Sequence, residues 1–259
     1  MNGPNRPYKW LAEYYDQLFT FHLPWFEAAR QRVLVDILPR LDSACDLACG
    51  TGATALLLAG RGIKMFGVDL SPVMCRLARQ KAQRARLPVR IFHADMRDFR
   101  LPEQVGLVLC EFDALNHVPR KTDLRRVARA VSRALQPGGY FFFDVNNRRA
   151  FEKIWPGSSW AEQPGVVMLM HGGYDRARER GWTAVEWFLR EGKLWRRHRE
   201  RIEQVAWTSA EIRCTLRDAG FDRVRAWDAR LFSRMPNLSP GCRTFYLARK
   251  ARLSNQASV

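Results

Sequence analysis

The sequence predicts an α/β protein with a doubly wound, mostly parallel sheet of seven strands and an antiparallel β insertion after the fifth strand. Three observations carry this expectation. From Ser43 to Val145 short apolar strands alternate with helical patterns. The first strand runs into a glycine-rich turn, Asp46-Leu47-Ala48-Cys49-Gly50-Thr51-Gly52, that opens a helix. From about Val166 to Val205 the helical spacing gives way to aromatic and β-branched runs, separated by a turn at Gly192.

Each element follows from local pattern. Phe26, Ala29, Val33 and Ile37 fall at helical spacing and predict a covering helix over Trp25 to Leu38. A strand at Ala44 to Ala48 precedes a helix over Ala53 to Ala59, a strand at Ile63 to Val68 and a helix from Pro72 to Arg84. Ser71 followed by Pro72 marks that last helix start with an N-cap and a proline at its first position. Strands at Val89 to His93 and Val105 to Glu111, a helix at Asp123 to Leu135 and a strand at Tyr140 to Val145 continue the alternation. Tyr140-Phe141-Phe142-Phe143 is apolar on both faces, as expected of a strand near the sheet centre with helices on each side. After the insertion, the capping box Thr208-Ser209-Ala210-Glu211 starts a helix that runs to Ala219. Strands near Val224 to Trp227 and at Arg243 to Ala248 complete the sheet.

These elements fit one domain over residues 1–250: an N-terminal helical cap (1–40), a core (41–145), the insertion (146–207) and a closing segment (208–250), with a flexible tail at 251–259. A chain of 259 residues with 47% hydrophobic residues can bury a sizeable core. Met1 to Leu23 mixes Arg6, Lys9, Glu13 and Asp16 with aromatics, so it reads neither as a signal peptide nor as a membrane span, and a cytoplasmic protein is expected. The six cysteines show no C-x-x-C pair and no zinc spacing, and read as reduced, mostly buried thiols. The net charge of +17 is arginine-rich but dispersed, which favours a solvated basic surface over a nucleic-acid footprint.

A strand ending in a glycine turn that opens a helix directs backbone N–H groups at a ligand, and Gly50 and Gly52 permit close approach. Gly50-Thr51-Gly52-Ala53-Thr54-Ala55 also satisfies the loose dinucleotide fingerprint, so a nicotinamide-dependent oxidoreductase stays an alternative on this motif alone. The wider pattern adds Asp46 at the end of the first strand, Asp69 at the end of the second, Asp95-Met96 after the third and Pro137-Gly138-Gly139 before the fifth. In that order, over roughly Tyr14 to Lys250, the chain resembles Rossmann-like class I S-adenosylmethionine-dependent methyltransferases.

The resemblance implies S-adenosylmethionine as cofactor, bound by Asp46, Ala48, Gly50, Gly52, Asp69, Leu70, Asp95, Met96 and Glu111, with no metal. Asp69 would accept from the ribose hydroxyls, Asp95 from the adenine amine while Met96 packs on the ring, and Asp46 would lie near the methionine end. The stretch Cys110-Glu111-Phe112-Asp113-Ala114-Leu115-Asn116-His117 resembles small-molecule N-methyltransferases, including nucleotide-sugar dimethyltransferases, which place a histidine there. His117 is therefore the candidate base, with helix capping or core packing as its other reading. The same relatives carry a Tyr-Asp pair matching Tyr15-Asp16 on a segment folded over the cofactor, and the neighbouring Tyr14 leaves the register open.

No Asn/Asp-Pro-Pro-Tyr/Phe tetrad follows the fourth strand and no cysteine stands after a proline, against base-amino and cytosine-C5 methylation. The expected function is methyl transfer to nitrogen or oxygen of a small molecule, by a monomer or homodimer. An RNA or protein methyltransferase is the alternative that the basic charge keeps open. Trp155, Trp160, Trp182, Trp187, Trp195 and Trp207 in the insertion read as its apolar core before they read as an acceptor pocket.

Overall fold

The computed structural model describes residues 12, 14–19, 22–232 and 240–252. The expectations for 1–11 and for the tail beyond 252 lie outside these residues. A short helix α1 (Tyr15–Phe19) and a longer α2 (Leu23–Val33) precede β1 (Ser43–Leu47), α3 (Ala53–Ala59), β2 (Lys64–Asp69), α4 (Pro72–Ala85), β3 (Val89–His93), β4 (Val105–Cys110), α5 (Lys121–Ala134) and β5 (Leu135–Asn146). The insertion comprises α6 (Arg148–Lys153) and the strands β6 (Gly157–Gln163), β7 (Val166–Asp175), β8 (Arg180–Glu191) and β9 (Leu194–Val205). The helix α7 (Ser209–Asp218) and strands β10 (Phe221–Asp228) and β11 (Arg243–Lys250) close the fold.

The main sheet has seven strands in the order β10-β11-β5-β4-β1-β2-β3, and β11 runs antiparallel to both of its neighbours. β5 lies inside the sheet, as its double apolar character requires. Phe141 and Phe143 pack with Leu124, Val127 and Val131 of α5 and Ile212 of α7, while Phe142 packs on the opposite face with Phe26 of α2 and Leu58 of α3. The chain passes from β1 outward to β2 and β3, then returns to β4 on the other side of β1. In open α/β sheets this reversal leaves a crevice at the carboxyl ends of the two central strands, where ligands bind.

Some boundaries differ from the sequence expectation for physical reasons. The first covering helix ends at Val33 and not at Leu38: a turn over 34–37, in which Ile37 donates to the Leu34 carbonyl at 2.9 Å, separates it from a short 3-10 turn (Leu38–Arg40) with Pro39 at its start. Ile37 still packs against the core, so its spacing reported burial and not helix. β5 begins at Leu135, because Pro137-Gly138-Gly139 is carried within the strand where the pairing shifts from Val105↔Leu135 to Leu107↔Tyr140. The antiparallel layer starts earlier than Val166: α6 and β6 lack apolar periodicity, and β6 is held by its register with β7, from Gly157↔Gly172 to Gln163↔Val166. The tryptophans divide. Trp187 and Trp207 are buried, whereas Trp160 and Trp195 are 68% and 49% exposed, so the reading of the aromatics as core holds for part of the set.

The inner face of the four-stranded layer buries Val166, Met168, Val185 and Trp187 against Leu18 of α1, with Tyr15 and Phe19 of the same short helix and the preceding Tyr14 packed beside it. α1 is thereby held between the inserted layer and the rest of the chain. Gly192 makes the β8–β9 turn at φ +63°, and both expected helix caps are present: Ser71 accepts from the Met74 N–H, and Thr208 and Glu211 form a reciprocal box. All six cysteines are free thiols, and only Cys214 is exposed. Among the described residues no helix is long and apolar enough to cross a membrane, and none of their His, Cys, Asp and Glu side chains group as a metal site.

Candidate active site

The crevice is built first by the β1–α3 turn. Ala48, Gly50 and Gly52 adopt left-handed backbone, at φ 59°, 52° and 83°, which turns the chain back on itself within five residues. A side chain at Gly50 would point into open space, so the turn leaves room for a group to approach its backbone; at Gly52 a Cβ would come within 3.1 Å of the Ala78 Cβ, so that glycine serves packing onto α4. Asp69, at the end of β2, braces the turn: Oδ2 accepts from the Gly50 N–H and Oδ1 from the Ser71 N–H, both at 2.8 Å. Burial raises its pKa against the opposing pull of those two N–H groups. Each oxygen keeps a lone pair for a further donor.

Asp46 performs the capping that Gly52 cannot. Its Oδ2 accepts from the Ala55 N–H at 3.2 Å, inside the first turn of α3. Burial, reinforced by the nearby Glu111 charge, pushes its pKa up to about 8. Glu111 follows β4 and is tied to the Arg30 guanidinium of α2 and to the Thr54 hydroxyl, the latter at 3.1 Å. Its Oε1 is buried and has no hydrogen-bond partner among the described residues. At the β3 end Asp95 is gripped by the Arg97 side chain, whose Nε lies 3.0 Å from both oxygens, and that pairing lowers the Asp95 pKa. Met96 packs beside the core, and Leu70 is 62% exposed next to the turn.

α1 lies over the glycine turn and is fastened to it. The Thr51 hydroxyl donates to Asp16 Oδ1 at 2.6 Å, and Lys81 of α4 pairs with the same carboxylate. Tyr15 sits where the negative charges of Asp113, Asp69, Asp16 and Asp46 all reach it; burial first, and then those charges, hold its hydroxyl well above the ordinary tyrosine range. Tyr14 instead turns to the inserted layer, its hydroxyl 3.8 Å from where a Gly165 Cβ would stand. Of the two adjacent tyrosines, Tyr15 shares the field of the crevice carboxylates.

Beyond β4 the backbone takes two consecutive non-glycine residues into the left-handed region, Phe112 at φ 64° and Asp113 at φ 46°. Such strain persists where the surroundings over-determine it. Here Asp144 of β5 accepts the Asp113 N–H at 3.0 Å, and Arg243 of β11 bridges Asp144 and Asp113 at 2.7 and 2.8 Å. Phe112 stacks on Phe26 at 4.5 Å and meets His22 edge-on at 4.7 Å. Burial, together with the Asp113 charge, pushes the Asp144 carboxyl up to about 7 against the pull of Arg243, and its Oδ1 has no partner among the described residues.

His117 ends the 3-10 turn that follows (Ala114–His117). Gln204, reaching across from β9, donates to Asp113 Oδ2 at 2.5 Å and lies 3.1 Å from His117 Nε2. Asn116 staples the same turn to β5 and β9 by donating to the Asn146 and Val205 carbonyls at 2.9 and 2.7 Å. Asp113, Asp144, Gln204 and Arg243 went unread in the sequence. The one local signal was Asp113 itself, standing in the stretch that carries His117.

This arrangement suits a cationic, hydrogen-bond-donating ligand: a turn open at Gly50, acceptor lone pairs on Asp69, and orphaned carboxylate oxygens on Glu111 and Asp144. Residues 44–139 match the family described as Methyltransferase domain. The protein is an S-adenosylmethionine-dependent methyltransferase. The nicotinamide alternative that the glycine motif left open falls with this assignment.

Solved structures give the same fold over nearly the whole methyltransferase. An S-adenosylmethionine-dependent methyltransferase from Clostridium acetobutylicum superposes with a TM-score of 0.78 at 23% identity, covering 95% of this chain and 100% of that one. The sugar N-methyltransferase KedS8 from Streptoalloteichus gives 0.76 at 20% identity, over 97% and 96%. At these identities the likeness is one of fold. Among curated proteins, YqeM of Bacillus subtilis (strain 168) is 29% identical over 84% of this chain and 87% of its own length.

Proposed function

We propose that the methyltransferase moves the methyl group to an amine nitrogen of a small molecule, with an amino sugar as the leading class of acceptor. The observation that carries this reading is the position of Tyr15 on α1, which is fastened to the glycine turn and packed against the inserted layer, within reach of the charges of Asp46 and Asp69 and also of Asp113. Bound S-adenosylmethionine supplies an electrophilic methyl on a sulfonium; what the chain supplies is orientation, negative charge and exclusion of water.

In this reading Gly50, Gly52, Ala48, Leu70 and Asp69 hold the nucleoside, Asp95 and Met96 border the adenine, and Asp46 and Glu111 present carboxyl groups at the amino acid end, where a bound ammonium would favour their ionised forms. Residues 41–145 act as the cofactor core and 146–207 as the acceptor-side layer. Tyr15, protonated throughout the working range, offers its hydroxyl oxygen to the acceptor amine. Asp113 stabilises the positive charge that the neutral amine gains on methylation, and keeps lone pairs beyond those used by Arg243 and Gln204. The sugar N-methyltransferase KedS8 has the same fold, which supports an amine acceptor. The outer arginines of β9 are spent within the layer, Arg197 and Arg199 on Glu186 and Arg201 on Glu203, which supports a small molecule over RNA. The enzyme works in the cytoplasm, as a monomer or a homodimer.

Formation of S-adenosylhomocysteine with a panel of amino sugars, matched hydroxy sugars and short RNAs tests the reading. Turnover confined to the amines is expected, and turnover confined to RNA or to the hydroxy sugars contradicts it.

A further inference from the structure

We infer that Gln204 fixes His117 as the neutral imidazole with its proton on Nδ1, so that His117 positions the acceptor and Gln204 is a positioning residue of the reaction. The inference rests on the methyl-transfer reading above for its function, but its physical content stands on the hydrogen bonds alone. A carboxylate paired with a guanidinium accepts hydrogen bonds and donates none, and Asp113 is so paired, with Arg243 at 2.8 Å. The Gln204 group 2.5 Å from Asp113 Oδ2 is therefore its NH2. Turned the other way, the amide oxygen would face a carboxylate, two acceptors with no proton between them.

The same NH2 group lies 3.1 Å from His117 Nε2 and carries a second hydrogen. A donor on one side requires a lone pair on the other, so Nε2 is unprotonated and Nδ1 bears the proton. The lone pair that a general base would use is thus engaged by an amide that cannot give it up without also leaving Asp113. Protonation of His117 would set two donors against each other at this contact.

The surroundings act in the same direction. Burial lowers the His117 pKa, and the Asp113 charge opposes this only in part. On the elements packed against this turn, Asp144 of β5 is spent on Arg243 of β11, and Glu200 of β9 accepts from the Trp187 indole at 2.9 Å. Gln204 belongs to the inserted layer and Asp113 to the core, so the tautomer is set only when the two are joined.

The experiment is a long-range proton–nitrogen correlation spectrum of the 15N-labelled enzyme, with the His117 signals assigned by their loss in His117→Asn. It is recorded across a pH range of about 5.5 to 8.5, spanning the ordinary imidazole value. A protonated Nδ1 and bare Nε2, unchanged over that range, is expected. In Gln204→Leu the imidazole should titrate, with its pKa raised by about one unit or more relative to the parent. Gln204→Glu, which presents an acceptor, should move the proton to Nε2 and add an acidic limb to the pH profile of kcat/KM that the parent lacks. A parent enzyme whose His117 carries its proton on Nε2, or titrates near the ordinary value, overturns the inference. So does a Gln204→Glu protein that binds S-adenosylhomocysteine with parental affinity yet keeps the parental tautomer and pH profile. Binding of S-adenosylhomocysteine reports separately on the methyl-transfer reading, so the two fail independently.

Discussion

The Thr51 hydroxyl donates to Asp16 Oδ1 at 2.6 Å, which ties the middle of the glycine turn to the helix lying over it. The same carboxylate pairs with Lys81, so one side chain joins α1, the turn and α4. Both partners of Asp16 lie in residues 41–145, the segment proposed to bind the cofactor. Replacement of Asp16 by alanine is expected to weaken S-adenosylhomocysteine binding about tenfold, since a hydrogen bond to a charged group contributes on the order of 1.5–3 kcal/mol and solvent at this half-exposed site recovers part of it. Calorimetric titration measures the affinity, and parental affinity in a folded variant would show that the fastening plays no part in binding.

Asp69 holds the Gly50 and Ser71 N–H groups at once, so its loss acts on the shape of the turn as well as on the ligand. Asp69→Ala is expected to cost roughly 10- to 100-fold in S-adenosylhomocysteine affinity, and Asp69→Asn less, since the amide oxygen can keep one of the two bonds. Equal affinities for parent and alanine variant would remove Asp69 from the site.

The order of strands and the glycine turn were legible because their signals are local: apolar alternation, two N-caps and glycines where the backbone goes left-handed. Asp46 and Asp69 were legible as strand-end carboxylates able to cap, although which N–H groups each one holds became visible only in the fold. The proposed acceptor side was not legible. Asp113, Asp144, Gln204 and Arg243 come from four segments spread over 130 residues, and no spacing rule links them. α6 and β6 escaped for a related reason, since β6 is specified by its partner strand and not by its own pattern. The adjacent pair Tyr14 and Tyr15 could be told apart only by which neighbours each one meets.

Buried carboxyls make stability fall as pH rises. The Asp46 and Asp144 values of about 8 and 7 lie above the ordinary value of 3.8, so the folded protein holds protons that the unfolded chain has lost. The free energy of unfolding then has a negative slope with pH between the unfolded and folded values: the contribution is fully present below about pH 4 and is lost as pH climbs through 7 and 8. The melting temperature of the ligand-free enzyme should therefore decline from about pH 5.5 to about pH 8. A melting temperature that rises over this window would contradict the assignment.

The Arg243 bridge supports a strained turn inside the protein. Replacing Arg243 with methionine leaves the buried Asp144 and the mostly covered Asp113 without their cation, and a loss of about 3–5 kcal/mol in unfolding free energy is expected. Adding Asp144→Asn should restore part of that loss by removing one of the stranded charges. Denaturant unfolding measures both, and strictly additive losses in the double variant would show that the bridge is not the source of the effect.

Ligand-induced stabilisation tests the central claim most directly, because the glycine turn alone could serve a dinucleotide equally well. With S-adenosylhomocysteine, NAD and NADP offered in parallel at the same concentration, the methyl-donor site predicts a raised melting temperature with S-adenosylhomocysteine alone. Stabilisation by NAD or NADP with no response to S-adenosylhomocysteine would contradict it.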